Sequence, residues 1–362
     1  MKKLFINRKE ELKKLITGLK LGNDFVLVAP RRFGKTALAV RALEEIATDP
    51  NFIVIDIDLM KYSGGGVQSI AECIIEKSLH ALGIQGKIRK MWREVNFNFS
   101  VSVKYKELEI MPLLQLFNSK KNEWKLLEES LDLVEKIAKL NKKQVVVFYD
   151  EFGELNDLGT RVIKMFRSVI QRHTQVSYLF AGSQETVMNK IFLEKSGAFY
   201  RFGELIYLKE LDKKDVFDYL VDKFPQTNVL KNDLYKLSIA DSIIYELKGH
   251  PYYTAQAVNY LEQNYDQLSM DNFEDFLFNQ LFDREEAYIE LQVSKIKSKS
   301  NALEVMRLIS LKLNPYNELL GVKDQNIYSI LRYLVESGYI RKESRGVYSI
   351  TDPLLEKYLS AR

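Results

Sequence analysis

The residues best suited to chemistry lie in a short run that follows an apolar stretch. The stretch is Phe25 to Val28, and the run reads Ala29-Pro30-Arg31-Arg32-Phe33-Gly34-Lys35-Thr36 before helix-forming residues that begin at Ala37. When a strand turns sharply into a helix, unpaired backbone N–H groups and the positive end of the helix dipole converge on an anion. The run therefore predicts a phosphate-binding loop and a nucleotide-binding protein.

The residues of this loop have distinct expected roles. Gly34 lets the backbone approach a β-phosphate, Lys35 reaches the β- and γ-phosphates, and the Thr36 hydroxyl is a ligand for Mg²⁺. The other loop residues expected to contact the nucleotide are Pro30, Arg31, Arg32, Phe33 and Ala37. Ala29 stands where the pattern has a leading glycine that eases the turn, so the loop should form with altered geometry.

A second motif combines a continuous apolar run with two carboxylates. Val145 to Tyr149 is typical of a parallel strand buried on both faces, and Asp150-Glu151 follows it. Adjacent carboxylates at the end of a buried strand cost desolvation free energy unless a cation or a reacting water uses them. Asp150 is expected to hold Mg²⁺ through a water, and Glu151 to polarise the water that attacks the γ-phosphorus. The alternative is an ordinary solvated strand end.

A third strand candidate runs from Val176 to Gln184 and ends in small polar residues. It follows an amphipathic helix from about Arg161 to Gln171. Ser183 or Gln184 could contact the γ-phosphate or the attacking water, although a Gly-Ser-Gln turn is also a common way to end a strand.

The order of the motifs resembles that of the archaeal-type ATPases, which belong with the AAA+ and STAND P-loop NTPases. The segments that carry the resemblance, besides the phosphate-binding loop, are Phe5-Ile6-Asn7-Arg8-Lys9-Glu10-Glu11-Leu12, Tyr149-Asp150-Glu151-Phe152, Phe180-Ala181-Gly182-Ser183, Tyr200-Arg201-Phe202, Gly249-His250-Pro251-Tyr252-Tyr253 and Asp352-Pro353-Leu354-Leu355. They extend over nearly the whole chain. The resemblance implies an α/β fold in which a P-loop NTPase core with a parallel sheet carries a helical lid and a C-terminal winged-helix domain.

The same resemblance implies roles for two further arginines. Arg8 would line the adenine pocket or brace the loop, although a surface residue at a helix start is an equal alternative. Arg201 would act as an arginine finger on a γ-phosphate, often that of a neighbouring subunit, or it simply pairs with Glu204. Other arginines expected near the site are Arg31, Arg32, Arg167 and Arg172.

Composition limits the remaining possibilities. With 362 residues, 46% of them apolar, the chain is long enough for two or three domains with substantial cores. Its longest apolar runs have the length of strands and its N-terminus lacks a secretion signal, so we expect no membrane span and a cytoplasmic location. One cysteine, Cys73, and three histidines exclude an intrachain disulfide and a cysteine-rich zinc site. ATP and Mg²⁺ are the cofactors implied.

The pattern along the chain predicts three domains. Residues 1–211 alternate strands and helices and would form the ATPase core, with an inserted β-ribbon at about 85–124 that covers a sheet edge or docks a partner. Residues 212–290 read as a helical lid, whose first helix is capped at Asp212 and whose last helix begins at Gly249-His250-Pro251. His250 is a phosphate sensor or, alternatively, a cap or packing residue.

Residues 291–362 show helices followed by a hairpin, the order of a winged helix. This segment has twelve Lys and Arg against seven Asp and Glu, a net charge of +5, whereas the whole chain carries +4. If it binds DNA, the major-groove residues would be Gln325, Asn326, Ser329 and Arg332, and the phosphate contacts would be Arg341, Lys342 and Arg345. A protein partner is the alternative, since winged helices also mediate protein contacts, and an oligomer is possible.

Two classes of function follow. The first is a Mg²⁺-dependent ATPase of AAA+/STAND type, in which ATP binding and hydrolysis move the winged helix. The second is a nucleotide-dependent DNA-binding or regulatory switch with little turnover. A small-molecule kinase is a weaker third option, because no acceptor-binding motif is recognisable.

Overall fold

A central parallel sheet organises the first half of the molecule. The computed structural model describes residues 6, 8–83, 104–105, 108–109, 123–224, 233–264, 269–319 and 321–361. Five parallel strands form the sheet in the order β2-β5-β6-β1-β7. They are β1 (Phe25–Val28), β2 (Phe52–Asp58), β5 (Gln144–Asp150), β6 (Val176–Gly182) and β7 (Glu204–Tyr207). The expected P-loop NTPase sheet is confirmed.

Helices cover both faces of this sheet, as a parallel sheet requires. They are α1 (Lys9–Lys20), α2 (Lys35–Ala47), α3 (Met60–Ser63), α4 (Gly66–Ala81), α5 (Glu123–Asn141), α6 (Thr160–Ile170) and α7 (Glu185–Phe192), with a 3₁₀ helix at Phe152–Leu158. Residues of α1 and α2 pack on one face, and residues of α4, α5 and α6 pack on the other. Residues 145–150 of β5 are buried, which confirms the central strand expected from its unbroken apolar run.

The predicted ribbon at about 85–124 lies mostly outside the described residues. Within it, β3 (Lys104–Tyr105) and β4 (Leu108–Glu109) pair antiparallel. This short ladder lies within the segment where the sequence predicted a ribbon.

The second half is helical. Its helices are α8 (Lys213–Lys223), α9 (Asp233–Leu247), α10 (Pro251–Asn264), α11 (Met270–Asp275), α12 (Leu281–Lys297), α13 (Ala302–Ser310), α14 (Pro315–Glu318), α15 (Asp324–Glu336) and α16 (Pro353–Ser360), and a π-helical turn at Phe276–Gln280 precedes α12. The capped start of α8 is confirmed, because Asp212 and Asp215 form a reciprocal capping box. Pro251 does begin a helix, but α11 and α12 follow it, so α10 is not the last helix before the C-terminal segment.

An antiparallel hairpin completes the C-terminal segment. Strands β8 (Ile340–Ser344) and β9 (Val347–Ile350) pair after α13, α14 and α15, in the order of a winged helix. One hydrophobic cluster runs from Leu211 through α9 and α12 to Leu359. The boundary expected at residue 290 falls inside α12. The lid and the winged helix thus share one core.

None of the helices in the described ranges is both long enough and apolar enough to cross a membrane.

Candidate functional site

The expected phosphate-binding loop joins the carboxyl end of β1 to the amino end of α2. Gly34 is the N-cap of α2, with a positive φ of 87°, and a Cβ at this position would have no neighbour within 4 Å. The glycine is therefore required by the backbone conformation of the loop rather than by crowding. The first N–H groups of α2 have no intrahelical partner, so this terminus is suited to bind an anion.

Lys35 is folded back onto its own loop. Its Nζ donates to the carbonyl oxygens of Ala29, at 2.8 Å, and Pro30, at 3.1 Å. Only 5% of the residue is exposed. Burial lowers the pKa of Lys35, against the opposing effect of the nearby carboxylates of Glu151 and Asp150. An anion in the loop would offset that desolvation.

Thr36 and Asp150 meet across the gap between β1 and β5. The Thr36 hydroxyl Oγ1 donates to Asp150 Oδ2 at 2.6 Å, although 114 residues separate the two in sequence. Asp150 is buried, and desolvation raises its pKa although the bond from Thr36 opposes this shift. A hydroxyl oxygen and a carboxylate oxygen are thus adjacent, and their role in holding Mg²⁺ stays a prediction. No cluster of three or more acidic, histidine or cysteine side chains suited to a metal occurs in the described ranges.

Glu151 is oriented by the end of the neighbouring strand. Its Oε2 accepts from the Ser183 backbone N–H at 3.1 Å and from the Ser183 hydroxyl at 2.8 Å. Glu151 also has a positive φ of 51°, an uncommon conformation for this residue type. The structure thus joins the two predicted catalytic residues of β5 and β6, with Ser183 as the direct partner of Glu151.

A cavity of about 670 Å³ lies along the loop. Its lining includes Arg8, loop residues 31–37 and Glu151. The rest of the lining consists of apolar or uncharged side chains of distant segments, namely Ile6, Met60, Leu211, Pro251, Tyr252, Ala255, Gln256 and Asn259. A cavity of this size and mixed lining suits a small molecule with an anionic and an aromatic part.

Arg8 lines the same cavity, but its guanidinium is held by protein groups. It forms an ion pair with Glu11 at 3.3 Å and donates to the Lys209 carbonyl oxygen. Arg8 therefore ties the start of α1 to the segment that follows β7. These partners do not belong to the phosphate loop, so a role for Arg8 in the adenine pocket or in bracing that loop stays a prediction.

Arg32 also lines the cavity, but its guanidinium is bound elsewhere. It lies between the rings of Tyr252 and Tyr288, at 4.4 and 3.7 Å from their centroids, and pairs with Glu285 at 2.8 Å. The Tyr252 hydroxyl donates to the other oxygen of Glu285 at 2.9 Å. We call Arg32, Tyr252, Glu285 and Tyr288 the arginine clamp. The charge of the Arg32 side chain is satisfied by α12 in this structure, and its contact with nucleotide stays a prediction.

Arg201 lies at the opposite edge of the sheet. Its loop leads into β7, whose first residue pairs with Phe25 at the amino end of β1, whereas the phosphate loop follows the carboxyl end. A four-residue strand spans about 13 Å. The Arg201 guanidinium instead lies 5.3 Å from the Tyr200 ring centroid. Action of Arg201 on the phosphate loop of its own chain is therefore excluded.

The other candidate arginines near β6 also lie away from the loop. Arg167 stacks over Phe202 at 4.5 Å, and Arg172 forms an ion pair with Asp132 at 3.6 Å. Of the arginines named from the sequence, Arg8, Arg31 and Arg32 line the cavity, and the reason is topological. Arg31 and Arg32 follow the carboxyl end of β1, and Arg8 reaches the cavity from the start of α1, whereas Arg167, Arg172 and Arg201 precede the amino ends of β6 and β7.

His250 packs in the protein interior. Its ring contacts Phe33 of the loop at 4.9 Å and Tyr253 at 4.6 Å between centroids. Burial lowers the pKa of His250 to about 4, and the positive charge of Arg32 acts in the same direction. Gln184, the other polar candidate, donates to Glu154 at 3.3 Å.

The residues that the sequence interpretation missed come from the lid. Pro251 and Tyr252 were noted only as part of a helix start, and Gln256 and Asn259 were not noted. Their spacing along α10 is helical, so they share one face. That helical spacing was the one sequence signal for these residues. Polar residues on one face of a helix are common, however, so the spacing does not indicate a site unless the packing of the helix is known.

The predicted DNA-contacting residues are all exposed except Arg341, which is half-buried. Gln325, Asn326, Ser329 and Arg332 are exposed on α15, as are Lys342 and Arg345 on the hairpin. Arg341 is not free, because its guanidinium binds Glu210 at 2.6 Å. Its expected role as a phosphate contact requires that this ion pair break.

The sequence matches no protein-family model and no curated protein. Similar solved structures do exist. The Walker-type ATPase PABY2304 of Pyrococcus abyssi has a TM-score of 0.67 and 18% identity, over 98% of this chain and 96% of that one. The ORC2 protein of Aeropyrum pernix in its ADPNP–ADP complexes has a TM-score of 0.57 and 12% identity, over 99% and 95%.

The similarity extends to nearly the full length of both neighbours, so it covers the sheet, the lid and the C-terminal segment together. At these identities it establishes the fold. The chain has the fold shared by the Pyrococcus abyssi Walker-type ATPase and the Aeropyrum pernix ORC2 protein, a parallel P-loop NTPase sheet followed by a helical C-terminal region whose order of elements fits a winged helix.

Proposed function

We propose that this protein binds ATP with Mg²⁺ and hydrolyses it, and that binding and hydrolysis move the winged helix relative to the core. The observation that carries the proposal is the convergence of Lys35, Thr36, Asp150 and Glu151 beside one cavity. These residues lie at or after the carboxyl ends of β1 and β5, two strands that are far apart in sequence. General packing does not require two carboxylates, a buried lysine and a hydroxyl to meet there.

Lys35 would neutralise phosphate charge at the loop. Its present partners are two carbonyl oxygens of the loop, which an anion can replace without leaving a buried charge unpaired. The free N–H groups at the start of α2 would supply the remaining contacts. The apolar and uncharged part of the lining, which includes Pro251 and Tyr252, would suit the base.

The donor set of Thr36 and Asp150 fits Mg²⁺. A hydroxyl and a carboxylate are hard oxygen ligands, and Mg²⁺ usually takes few protein ligands and completes its shell with water and phosphates. The Thr36 to Asp150 hydrogen bond holds both oxygens at one place. Bound Mg²⁺ would neutralise charge on the phosphates during transfer.

Glu151 would accept a proton from the attacking water. In the described conformation Ser183 donates two hydrogen bonds to Glu151 Oε2. These bonds set the direction of the carboxylate, while Oε1 has no such partner within the described residues. Ser183 therefore acts as a positioning residue in this proposal, through Glu151 rather than on the nucleotide.

Arg201 would serve only a neighbouring chain. Its place at the amino edge of the sheet excludes its own loop, as shown by the pairing of β7 with β1. In an assembly in which that edge meets the cavity of the next subunit, the guanidinium would stabilise transition-state charge. Replacing Arg201 with Ala should then abolish hydrolysis with nucleotide binding nearly unchanged, and unchanged turnover would reject the role.

The arginine clamp connects the phosphate loop to the winged helix through α12. Arg32 of the loop pairs with Glu285 of α12, and α12 shares its hydrophobic core with α13 and α16. A change in loop conformation on nucleotide binding would therefore act on α12. This contact supports the proposed coupling between the core and the C-terminal segment.

Steady-state ATP hydrolysis tests the proposal. We expect magnesium-dependent turnover by the wild type and a loss of at least about 100-fold in Glu151→Gln, since removing a general base typically costs 10²–10⁴ in rate. The exposed Asp157→Asn, on the 3₁₀ helix that follows Glu151, is the matched control and should retain wild-type turnover. Equal rates for wild type and Glu151→Gln would reject Glu151 as the base.

The second candidate is a DNA-binding switch with little turnover. It is favoured by the exposed polar face of α15, formed by Gln325, Asn326 and Ser329. Fluorescence anisotropy with a labelled duplex, with ATP and with ADP, tests it. Nucleotide-dependent binding with negligible turnover would support the switch, whereas turnover well above background without DNA supports the ATPase.

A further inference from the structure

A second cavity lies on the other side of the phosphate loop. It has a volume of about 550 Å³ and is separate from the cavity described above, although Arg31 and Arg32 border both. Its walls come from the loop, from the end of β6, from α12 and from the winged helix near Tyr339 and Thr351. Every one of these elements is part of the proposed coupling between core and winged helix.

The basic and acidic side chains around this cavity differ in whether they already have a partner. Within the described ranges, Arg31 and Lys295 form no hydrogen bond or ion pair through their side chains. The acidic residues are already engaged: Glu336 pairs with Arg332 at 2.7 Å, and Asp352 accepts from the Tyr253 hydroxyl at 2.8 Å. Asp352 also accepts from the N–H groups of Leu354 and Leu355. The available charge is therefore positive.

A buried polar group also lines the cavity without a partner. His250 is 3% exposed, and its Nδ1 is among the buried polar atoms of the described chain that lack a hydrogen-bond partner. An unsatisfied buried nitrogen costs free energy, so such groups commonly mark a site for water or a ligand. Burial lowers the pKa of His250 to about 4, so the neutral ring can either donate or accept a hydrogen bond at neutral pH.

We propose that this second cavity binds a small anion that carries phosphate or carboxylate groups, held by Arg31 and Lys295 with His250 as a polar contact. The volume lies within the range usual for small-molecule sites and exceeds what one phosphate requires. A bound anion would link the phosphate loop to α12 and the winged helix. It would therefore act as an effector of the coupling, distinct from the nucleotide.

The test uses the full-length protein saturated with ADP, so that the nucleotide loop is occupied before a second anion is added. A calorimetric titration with ADP comes first and shows separately whether the nucleotide site functions. Pyrophosphate and citrate are then titrated as probes of phosphate and carboxylate chemistry. We expect saturable uptake of at least one of them by the ADP complex.

The contrast between two lysines locates the site. Lys295 borders the cavity, whereas Lys297, at the end of the same helix, does not. Lys295→Glu should weaken binding of the probe by about tenfold or more, and Lys297→Glu should leave it within about twofold. ADP affinity should be unchanged in both variants, which separates this result from a failure of the nucleotide site.

Histidine NMR gives a second readout. The chain has only three histidines, so the imidazole signals can be assigned by single substitutions. The probe should shift the signals of His250 and leave those of His80 and His173 unchanged. No uptake by the ADP complex, uptake insensitive to Lys295→Glu, or unchanged His250 signals on binding would each overturn the proposal and leave ordered water as the content of the cavity.

Discussion

The two sides of the phosphate loop differ in whether the partners of their charged side chains can be replaced by a ligand. On one side, Lys35, Thr36 and Glu151 border a cavity, and Asp150 is bonded to Thr36. The present partners of Lys35, Thr36 and Asp150 are groups that an anion or a cation can replace. On the other side, Arg32 is fixed between two tyrosine rings and paired with Glu285. Adjacent residues of one loop thus serve two different surfaces.

Under the proposed function, this difference would let one loop connect ATP hydrolysis with movement of the C-terminal segment. The replaceable contacts of Lys35 suit a ligand, whereas the satisfied contacts of Arg32 suit a permanent link between elements. The loop lies between them and carries positive φ values at Arg32 and Gly34. Substitutions on the two sides should therefore change different quantities.

The largest expected effect is on the ligand side. Lys35→Ala should weaken ATP binding by about 100-fold or more, because charged hydrogen bonds to phosphate contribute about 1.5–3 kcal/mol each. Equilibrium binding of a fluorescent ATP analogue measures this. Arg41→Ala, an exposed position on the same helix, is the control and should bind like the wild type. Wild-type affinity in Lys35→Ala would remove the distinction between the two sides.

The next effect is on the clamp side and concerns stability. Arg32→Ala leaves the Glu285 carboxylate, whose side chain is 11% exposed, without its cation. Allowing for partial exposure of Arg32, we expect a loss of about 2 kcal/mol in the free energy of unfolding. Urea unfolding of Arg32→Ala, Glu285→Gln and the double variant measures the coupling. Exposed Arg31→Ala should change stability by no more than about 0.5 kcal/mol, and additive effects in the cycle would argue against the clamp.

A third prediction concerns acid stability at His250, which packs against the loop. The pKa of His250 is lowered from 6.5 to about 4, so the folded protein favours the neutral ring. That contribution is fully present above pH 6.5 and is lost as the pH falls toward 4. Between pH 7 and 4.5 the wild type should lose about 2 kcal/mol more stability than His250→Gln.

Unfolding measured at several pH values tests this prediction. The exposed His80→Gln serves as the control and should follow the wild type. Parallel pH profiles for wild type and His250→Gln would show that the ring does not titrate in this environment.

The smallest effect is expected at the contact between hairpin and core. Arg341 and Glu210 are each about one-third exposed, so their pair should contribute only about 0.5 kcal/mol and weaken with salt. A double-mutant cycle at low and high ionic strength measures it. A coupling free energy well above 1 kcal/mol would mean that the Arg341–Glu210 pair holds the hairpin as firmly as the clamp holds the loop. The expected difference in strength between these two contacts would then be wrong.

The local parts of this structure were predictable from sequence. The phosphate loop, the buried strand β5 and the capped start of α8 depend on residues close together in the chain. Their backbone geometry follows from glycine, apolar runs and capping side chains. The meeting of Thr36 with Asp150 was also predictable, because parallel strands end at the same edge of a sheet.

The long-range pairings were not predictable in the same way. Whether Arg32 faces a phosphate or Glu285 depends on where α12 packs, 253 residues away in sequence. The position of Arg201 depends on strand order, since β7 joins the sheet beside β1 and begins at its amino end. Predicting that residues of α10 line the cavity requires knowing which face of this helix meets the loop. Each of these features is set by tertiary packing rather than by local propensity.

The most direct test of the account is a calorimetric titration of the purified wild-type protein with ATP in the presence of Mg²⁺. The convergence of the loop with Asp150 and Glu151 predicts saturable binding at one site per chain, weakened when EDTA removes the metal. Absence of binding, or binding at an equal affinity with and without Mg²⁺, would contradict the assignment of this edge of the sheet as a magnesium–nucleotide site.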